Sequence, residues 1–168
     1  MILVVGGASS GKSQRALDLA GAGRPRAFVA TGQALDPEME ERITRHQAAR
    51  AKDWQTVEVP LHLATWFFAH GHKFQSIVLD CLTLWLSNLR GARVPDAGMP
   101  DKVAELLEAM RKSSRRVVIV SNELGMGLVP VGRAVRKFRE LAGKVNQMVA
   151  AEADEVYFVI SGQSLRLK

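Results

Sequence analysis

Residues 6–13 restrict the fold more than anything else in this chain. They read Gly6-Gly7-Ala8-Ser9-Ser10-Gly11-Lys12-Ser13, a G-x-x-x-x-G-K-S pattern. Ahead of it, Ile2-Leu3-Val4-Val5 is a short continuous apolar run of the kind that forms a buried strand. Behind it, residues 12–20 are helical in composition and stop near Gly21 and Gly23. Strand, glycine turn and helix in that order make an anion cradle. Glycine lets the backbone wrap closely, successive N–H groups point inward, and the helix N-terminus adds positive potential. In such a cradle Lys12 bridges the β- and γ-phosphates and Ser13 ligates Mg²⁺. The pattern predicts a nucleoside triphosphate site over residues 6–13.

The remainder repeats the strand–helix alternation. Buried-strand candidates lie at residues 27–30, 77–80, 117–120 and 156–160, with an extended segment at 56–59 and a short final strand at 165–167. Between them come helical stretches. Asp36-Pro37-Glu38 has a cap, a proline at the first helical position and acids in the first turn, so a helix runs from there to about His46 and turns Met39 and Ile43 inward. Residues 61–69 and 132–152 are helical. In residues 101–112, Val103, Leu106, Leu107 and Met110 recur at helical spacing. Residues 90–100, with Gly91, Pro95, Gly98 and Pro100, read as a loop, and so do 125–130. Strands alternating with helices predict βαβ units and a mostly parallel sheet. At 168 residues and 47% apolar content the chain makes one domain with a proper core. No apolar run approaches the ~20 residues of a membrane span, and no signal-type segment stands at the N-terminus. A single cysteine, Cys81, excludes an intrachain disulfide framework. These features point to a cytoplasmic enzyme or switch.

The 23 basic and 17 acidic residues leave a formal charge of +6, which suits an anionic partner. Arg133, Arg136, Lys137 and Lys144 share one side of the long helix, and Val135, Phe138, Ala142, Val145 and Val149 another; the basic side reads as a solvated face or an anion-facing stripe. No aromatic residues interleave with the charges to stack bases, which argues against nucleic acid. Asp80 ends an apolar strand, as the Mg²⁺-holding carboxylate of a triphosphate site does. Thr31-Gly32 follows the second strand at its carboxyl end, where open α/β sheets bind ligands. A GTPase switch normally carries an Asn-Lys-x-Asp guanine-reading motif, and the sequence has none.

Further segments resemble one family over nearly the whole length. They are Val29-Ala30-Thr31-Gly32-Gln33, Asp36-Pro37-Glu38-Met39, Arg42-Ile43 with His46 and Trp54, the run from Leu79-Asp80-Cys81 to Leu89, Ser121-Asn122-Glu123-Leu124-Gly125-Met126-Gly127-Leu128-Val129-Pro130, Phe138-Arg139-Glu140-Leu141-Ala142-Gly143, Asn146-Gln147, Ala153-Asp154-Glu155-Val156 and Ser161-Gly162. The chain resembles the bifunctional adenosylcobinamide kinase/adenosylcobinamide-phosphate guanylyltransferases of cobalamin synthesis. The resemblance implies a RecA-like P-loop α/β fold, one domain over residues 1–168, its mostly parallel sheet covered by helices on both faces. It implies phosphoryl transfer from ATP or GTP to adenosylcobinamide, then GMP transfer from GTP to the resulting phosphate through a guanylylated histidine. His46 matches that nucleophile, although on its own it reads as a solvated helix-end residue.

Nucleotide contacts carry over to Gly6, Gly7, Ala8, Ser9, Ser10, Gly11, Lys12 and Ser13, to Ala30, Thr31 and Gly32, to Gln47, Ala48, Ala49 and Arg50, and to Glu58 and Asp80. Ser13 and Asp80 are the Mg²⁺ candidates, and Asp80 has a second possible role in holding nucleotide. A homotrimer is part of the same expectation. Relatives often carry Arg where this chain has Ser9, which removes a supplementary charge contact. The rival enzyme reading is a P-loop small-molecule kinase limited to γ-phosphoryl transfer. The non-enzyme reading is a nucleotide-dependent nucleic-acid module.

Other residues read as structural. His70 and His72 flank Gly71 at a solvated helix end without partners to complete a metal set. Cys81 reads as a buried, inert thiol. Trp66, Phe67, Phe68 and Trp85 read as core or subunit-interface packing, and Met126 as a buried loop residue.

Overall fold

The computed structural model describes residues 1–34, 36–48, 51–113 and 115–168, and within its second helix the side chains of Arg42 and His46 lie outside the description. Apolar runs without polar interruption cannot leave a face in water, so they pair laterally and are covered on both sides. Strands β1 (Ile2–Gly6), β2 (Arg26–Ala30), β3 (Trp54–Glu58), β4 (Ser76–Asp80), β5 (Arg116–Asn122), β6 (Glu155–Ile160) and β7 (Gln163–Arg166) form one sheet in the order β3-β2-β4-β5-β1-β6-β7. Neighbours are parallel except the β6–β7 hairpin. The mostly parallel sheet expected from the alternating pattern is present. β5 separates the glycine-turn strand β1 from the Asp80 strand β4.

The helices are α1 (Lys12–Leu19), α2 (Pro37–Ala48), α3 (Leu63–His70), α4 (Leu82–Gly91), α5 (Met99–Lys112) and α6 (Arg133–Glu152). The pleat sends alternate side chains to opposite faces. Leu3, Val5, Ile77, Leu79, Val117 and Ile119 pack with Phe67, Trp85, Leu106 and Val145 of α3, α4, α5 and α6. Ile2, Val4, Phe28, Val78, Val118 and Val120 pack with Ala16 and Ala20 at α1. Helices cover both faces, but unequally. α2 adds little to either, since none of its described side chains is buried. Met39 and Ile43, expected to point inward, are half-buried and wall a cleft. The cap at its start is as expected: the Asp36 carboxylate accepts the Met39 N–H at 2.8 Å.

Four expectations need correction. Residues 90–100 are not a single loop. α4 continues through Gly91, a 3-10 turn occupies Asp96–Gly98, and Met99 and Pro100 open α5. Proline is tolerated there because an N–H in the first turn has no intrahelical acceptor, and the fully buried Met99 anchors the start. Val135 is 55% exposed, because the first turn of α6 runs past the core and its apolar side is covered only partly at Phe138 and fully from Leu141 onward. Met126 is exposed rather than buried, and Phe68, read as core or subunit-interface packing, is outside the core at the surface of the chain. Phe68 lies under the Lys112 ammonium, and Met126 belongs to an apolar loop with Leu128, Val129 and Val131. Arg136, placed on a basic stripe, turns its guanidinium to the Pro130 and Val131 carbonyls, and Arg139 binds those of Gly125, Gly127 and Leu128. These two arginines hold the 125–131 loop through its backbone, which leaves its apolar side chains outward.

At the turn from β4 to α4, the fully buried Thr31 hydroxyl accepts the Cys81 N–H at 2.8 Å and donates to the Cys81 carbonyl at 2.7 Å. The Asp80–Cys81 peptide inside this clasp is cis. Burial, with the negative Asp80 beside it, pushes the Cys81 thiol up to about 12. On α4, the Trp85 indole N–H donates to the Leu61 carbonyl at 2.8 Å, and the Asn88 amide donates to the Thr31 and Pro60 carbonyls at 2.8 and 3.0 Å. α4 thereby ties together the carboxyl ends of β2 and β3.

We expect Trp85→Ala to lower the unfolding free energy by about 3–5 kcal/mol in urea titrations, since it empties a packed site and strips the Leu61 carbonyl of its donor. The Cys81 thiol is expected to stay inert to a disulfide reagent at neutral pH in the folded protein and to react at once in denaturant. An unfolded thiol ionises near 9.0 and the folded one near 12, so the folded state retains a proton that the unfolded state loses. This group's contribution to stability therefore falls as pH rises above 9.0, which denaturant titrations on either side of that pH would show.

Candidate functional site

The glycine turn is shaped by what surrounds it. A Cβ at Gly6 would lie 2.4 Å from the Val159 carbonyl oxygen and 2.7 Å from Ser10 Oγ, so no side chain fits where β1 gives way to the loop. Ser9 and Gly11 adopt left-handed conformations, with φ of 54° and 94°. Glycine takes that conformation without strain and so lets the chain double back into α1. On its far side the loop is braced by the β6–β7 turn. Gly162 N–H donates to the Ser10 carbonyl at 2.9 Å, and Ser161 and Gly162 both have positive φ, as a two-residue hairpin turn requires. Lys12 is buried, and its ammonium donates to the Gly7 carbonyl at 2.9 Å. The Ser10 hydroxyl is buried with no hydrogen-bond partner among the described residues.

From this loop a cleft of about 790 Å³, its open mouth included, extends along the carboxyl edge of the sheet. The strand register fixes the order of its residues. Glu58 of β3 stands beside Ala30 of β2, Ala30 beside Asp80 of β4, and Asn122 of β5 beside Gly6 of β1. Four strand spacings separate β3 from β1, or about 19 Å. At the loop end the lining is Lys12, Ser13, Asp80 and Asn122; toward β3 it is Ala30, Gly32, Gln47 and Glu58. Phe28, Met39, Ile43, Cys81 and Leu84 supply apolar wall. One end thus offers a cation and hard oxygen donors suited to phosphate and Mg²⁺. The other offers a carboxylate and a carboxamide able to pair with the polar edge of a nucleoside.

The residues singled out in the sequence are distributed as follows. Lys12, Ser13, Ala30, Gly32, Gln47, Glu58 and Asp80 share the cleft, while Gly6, Gly7, Ala8, Ser9, Ser10 and Gly11 form the loop at its end. Thr31 supports the cleft from behind, its hydroxyl engaged by Cys81. Ala48 is exposed at the end of α2. Ala49 and Arg50 lie outside the described residues, and so does the His46 side chain, although its backbone is on α2 one residue before Gln47. No group of three or more His, Cys, Asp or Glu side chains able to hold a metal occurs among the described residues. A Mg²⁺ bound through one hydroxyl, one carboxylate, phosphate oxygens and water does not require such a group. Phe28, Leu84 and Asn122 were not anticipated. The first two read as core by periodicity. Asn122 carried a usable signal, being the polar residue that ends an apolar strand, as Asp80 does.

Comparison with known proteins agrees with this geometry. The family model described as cobinamide kinase / cobinamide phosphate guanyltransferase matches residues 2–167. The bifunctional adenosylcobalamin biosynthesis protein CobU of Salmonella typhimurium is 40% identical, with 100% of this chain and 99% of the relative covered. CobU of Escherichia coli is 39% identical over the same shares. CobP of Pseudomonas aeruginosa, also named a bifunctional adenosylcobalamin biosynthesis protein, is 39% identical over 99% of this chain and 96% of its own. Among solved structures, the P4 protein from bacteriophage phi6 in complex with ADP superposes with a TM-score of 0.50 at 16% identity, covering 97% of this chain and 52% of that one. This chain spans about half of the P4 chain's length, and the likeness is one of fold, an α/β P-loop sheet. A glycine turn, a strand-end aspartate and a nucleoside-sized cleft on an α/β P-loop fold, in a chain matched over nearly its full length by that family model and those relatives, place it in the cobinamide kinase/cobinamide phosphate guanyltransferase family.

Proposed function

We propose that the chain performs both family reactions in this one cleft, using His46 as the guanylyl carrier. In the first, the corrinoid hydroxyl takes the γ-phosphoryl group of ATP or GTP. In the second, a neutral imidazole nitrogen of His46 attacks the α-phosphorus of GTP and pyrophosphate departs with the electron pair of the broken bond. The phosphate of adenosylcobinamide phosphate then displaces the imidazole, the P–N bond breaks, and adenosylcobinamide-GDP is formed. The observation that supports this most is the continuity of the cleft. Lys12, Ser13 and Asp80 share it with Gln47 of α2, and His46 is the neighbouring residue on that helix.

In this reading the buried Lys12 turns from the Gly7 carbonyl to phosphate oxygens, where burial keeps its charge from being screened by water. The orphaned Ser10 hydroxyl gains a phosphate oxygen as acceptor. Ser13 and Asp80 would hold Mg²⁺, which when bound offsets charge on the phosphates. Glu58, at the β3 end, accepts hydrogen bonds from ribose or the guanine edge. No helix is long and apolar enough to cross a membrane among the described residues, in keeping with cytoplasmic work. A homotrimer belongs to the same reading. The exposed Met126, Leu128, Val129 and Val131 offer a neighbouring copy an apolar surface to cover.

With GTP labelled at the α-phosphorus, the wild-type protein is expected to retain acid-labile label and His46→Ala to retain none, while His46→Ala still phosphorylates cobinamide with ATP. Label on His46→Ala protein at the wild-type level would rule out this carrier. Lys12→Ala is expected to slow phosphoryl transfer by about 10²-fold or more in steady-state assays.

A further inference from the structure

We propose that Asn122 is a catalytic residue of the phosphoryl-transfer step, its carboxamide donating to the terminal phosphate, and that Thr83, Ser121 and Asn146 are positioning residues that hold it there. The inference rests on the nucleotide occupying the cleft as proposed above. Parallel pairing sets Asn122 level with Gly6, where the phosphate loop begins, and sets Val120 level with Asp80. Asn122 therefore stands on the strand between the phosphate loop and the aspartate, and it lines the cleft with Lys12, Ser13 and Asp80. Its carboxamide has no hydrogen-bond partner among the described residues, whereas both of its main-chain groups that face α4 and α6 are fixed.

They are fixed by a closed ring of hydrogen bonds. Asn122 N–H donates to Thr83 Oγ1 at 2.8 Å. Ser121 Oγ donates to Asn146 Oδ1 at 2.7 Å, and Asn146 Nδ2 donates to the Asn122 carbonyl at 3.1 Å. Thr83 Oγ1 and Ser121 Oγ are 3.2 Å apart. Because the Ser121 proton is already directed to Asn146, Thr83 must be the donor of that pair. Each member then donates once and accepts once around the ring. Thr83, Ser121 and Asn146 are 6%, 1% and 8% exposed, so water does not compete and the directions reinforce one another. A buried polar network this complete, on three separate elements, fixes one position of the β5 carboxyl end. Among the described residues it leaves the Asn122 carboxamide in the cleft without a partner.

In the transfer, the corrinoid hydroxyl oxygen bonds to the γ-phosphorus and its proton passes to water. The bond from γ-phosphorus to the β–γ bridging oxygen breaks, and its electron pair stays on the diphosphate. The Asn122 amide adds a neutral N–H donor to the γ-oxygens as that charge redistributes, without competing for the cation as a second carboxylate would. A nucleoside diphosphate lacks the group it touches.

The test compares ADP with a β,γ-imido ATP analogue by calorimetry, alongside ATP-dependent phosphorylation of cobinamide. We expect Asn122→Ala to lower kcat by about 10²-fold, to weaken the imido analogue several-fold and to leave ADP affinity within twofold of wild type. Asn122→Asp, equal in shape but without the donor, should fail equally. Thr83→Val should reproduce the kcat loss with the KM for ATP within twofold, and Thr83→Ser should restore the rate. Unchanged kcat in Asn122→Ala, equal loss of ADP and analogue binding, or no rescue by Thr83→Ser would each overturn the proposal. Failure of the wild-type protein to bind either nucleotide would instead overturn the underlying site reading.

Discussion

No side chain fits at position 6. The Val159 carbonyl lies 2.4 Å from where a Cβ would stand, so β1 and β6 meet at a separation that only glycine permits. This contact fixes where the central strand stops and the phosphate loop begins. Because β1 pairs with β5 on its other side, the same point sets the height of Asn122, and through β4 that of Asp80. The cleft is the row of carboxyl ends aligned by that register, closed at one end by the loop. Brought together by backbone pairing, its residues need few contacts with one another.

The two ends of the cleft are supported differently. At the loop end, Asn122 and Asp80 terminate interior strands backed by the buried Thr83–Ser121–Asn146 network and the Thr31–Cys81 clasp. Toward β3, part of the wall is α2, whose described side chains are exposed or lie against the cleft. Rigid backing suits phosphate chemistry, where fixed dipoles act on charge as it moves. The α2 side faces the cleft through Met39 and Ile43 and carries the histidine proposed for the second reaction.

Local signals in the sequence were sufficient for the loop, for the Asp80 strand end and for the amphipathic face of α5, because each is encoded within a few residues of itself. The α2 start was equally plain, since Asp36, Pro37 and Glu38 carry the cap and first turn within one short segment. What could not be read was assembled across distance. Thr83 and Ser121, or Ser121 and Asn146, are unremarkable polar residues until folding brings α4 and α6 against β5. Phe28 and Leu84 follow core periodicity, and only the open carboxyl edge turns them into cleft wall. Arg136 reads as part of a charged helix side because its acceptors are loop carbonyls, a type of partner that leaves no mark in composition.

The brace behind the phosphate loop comes from the other end of the chain. The Ser161–Gly162 turn holds the Ser10 carbonyl, and β6 supplies the carbonyl that excludes a side chain at Gly6. During synthesis the cradle emerges first and its buttress last. A nascent polypeptide therefore carries the complete sequence motif before the residues that brace it have been made.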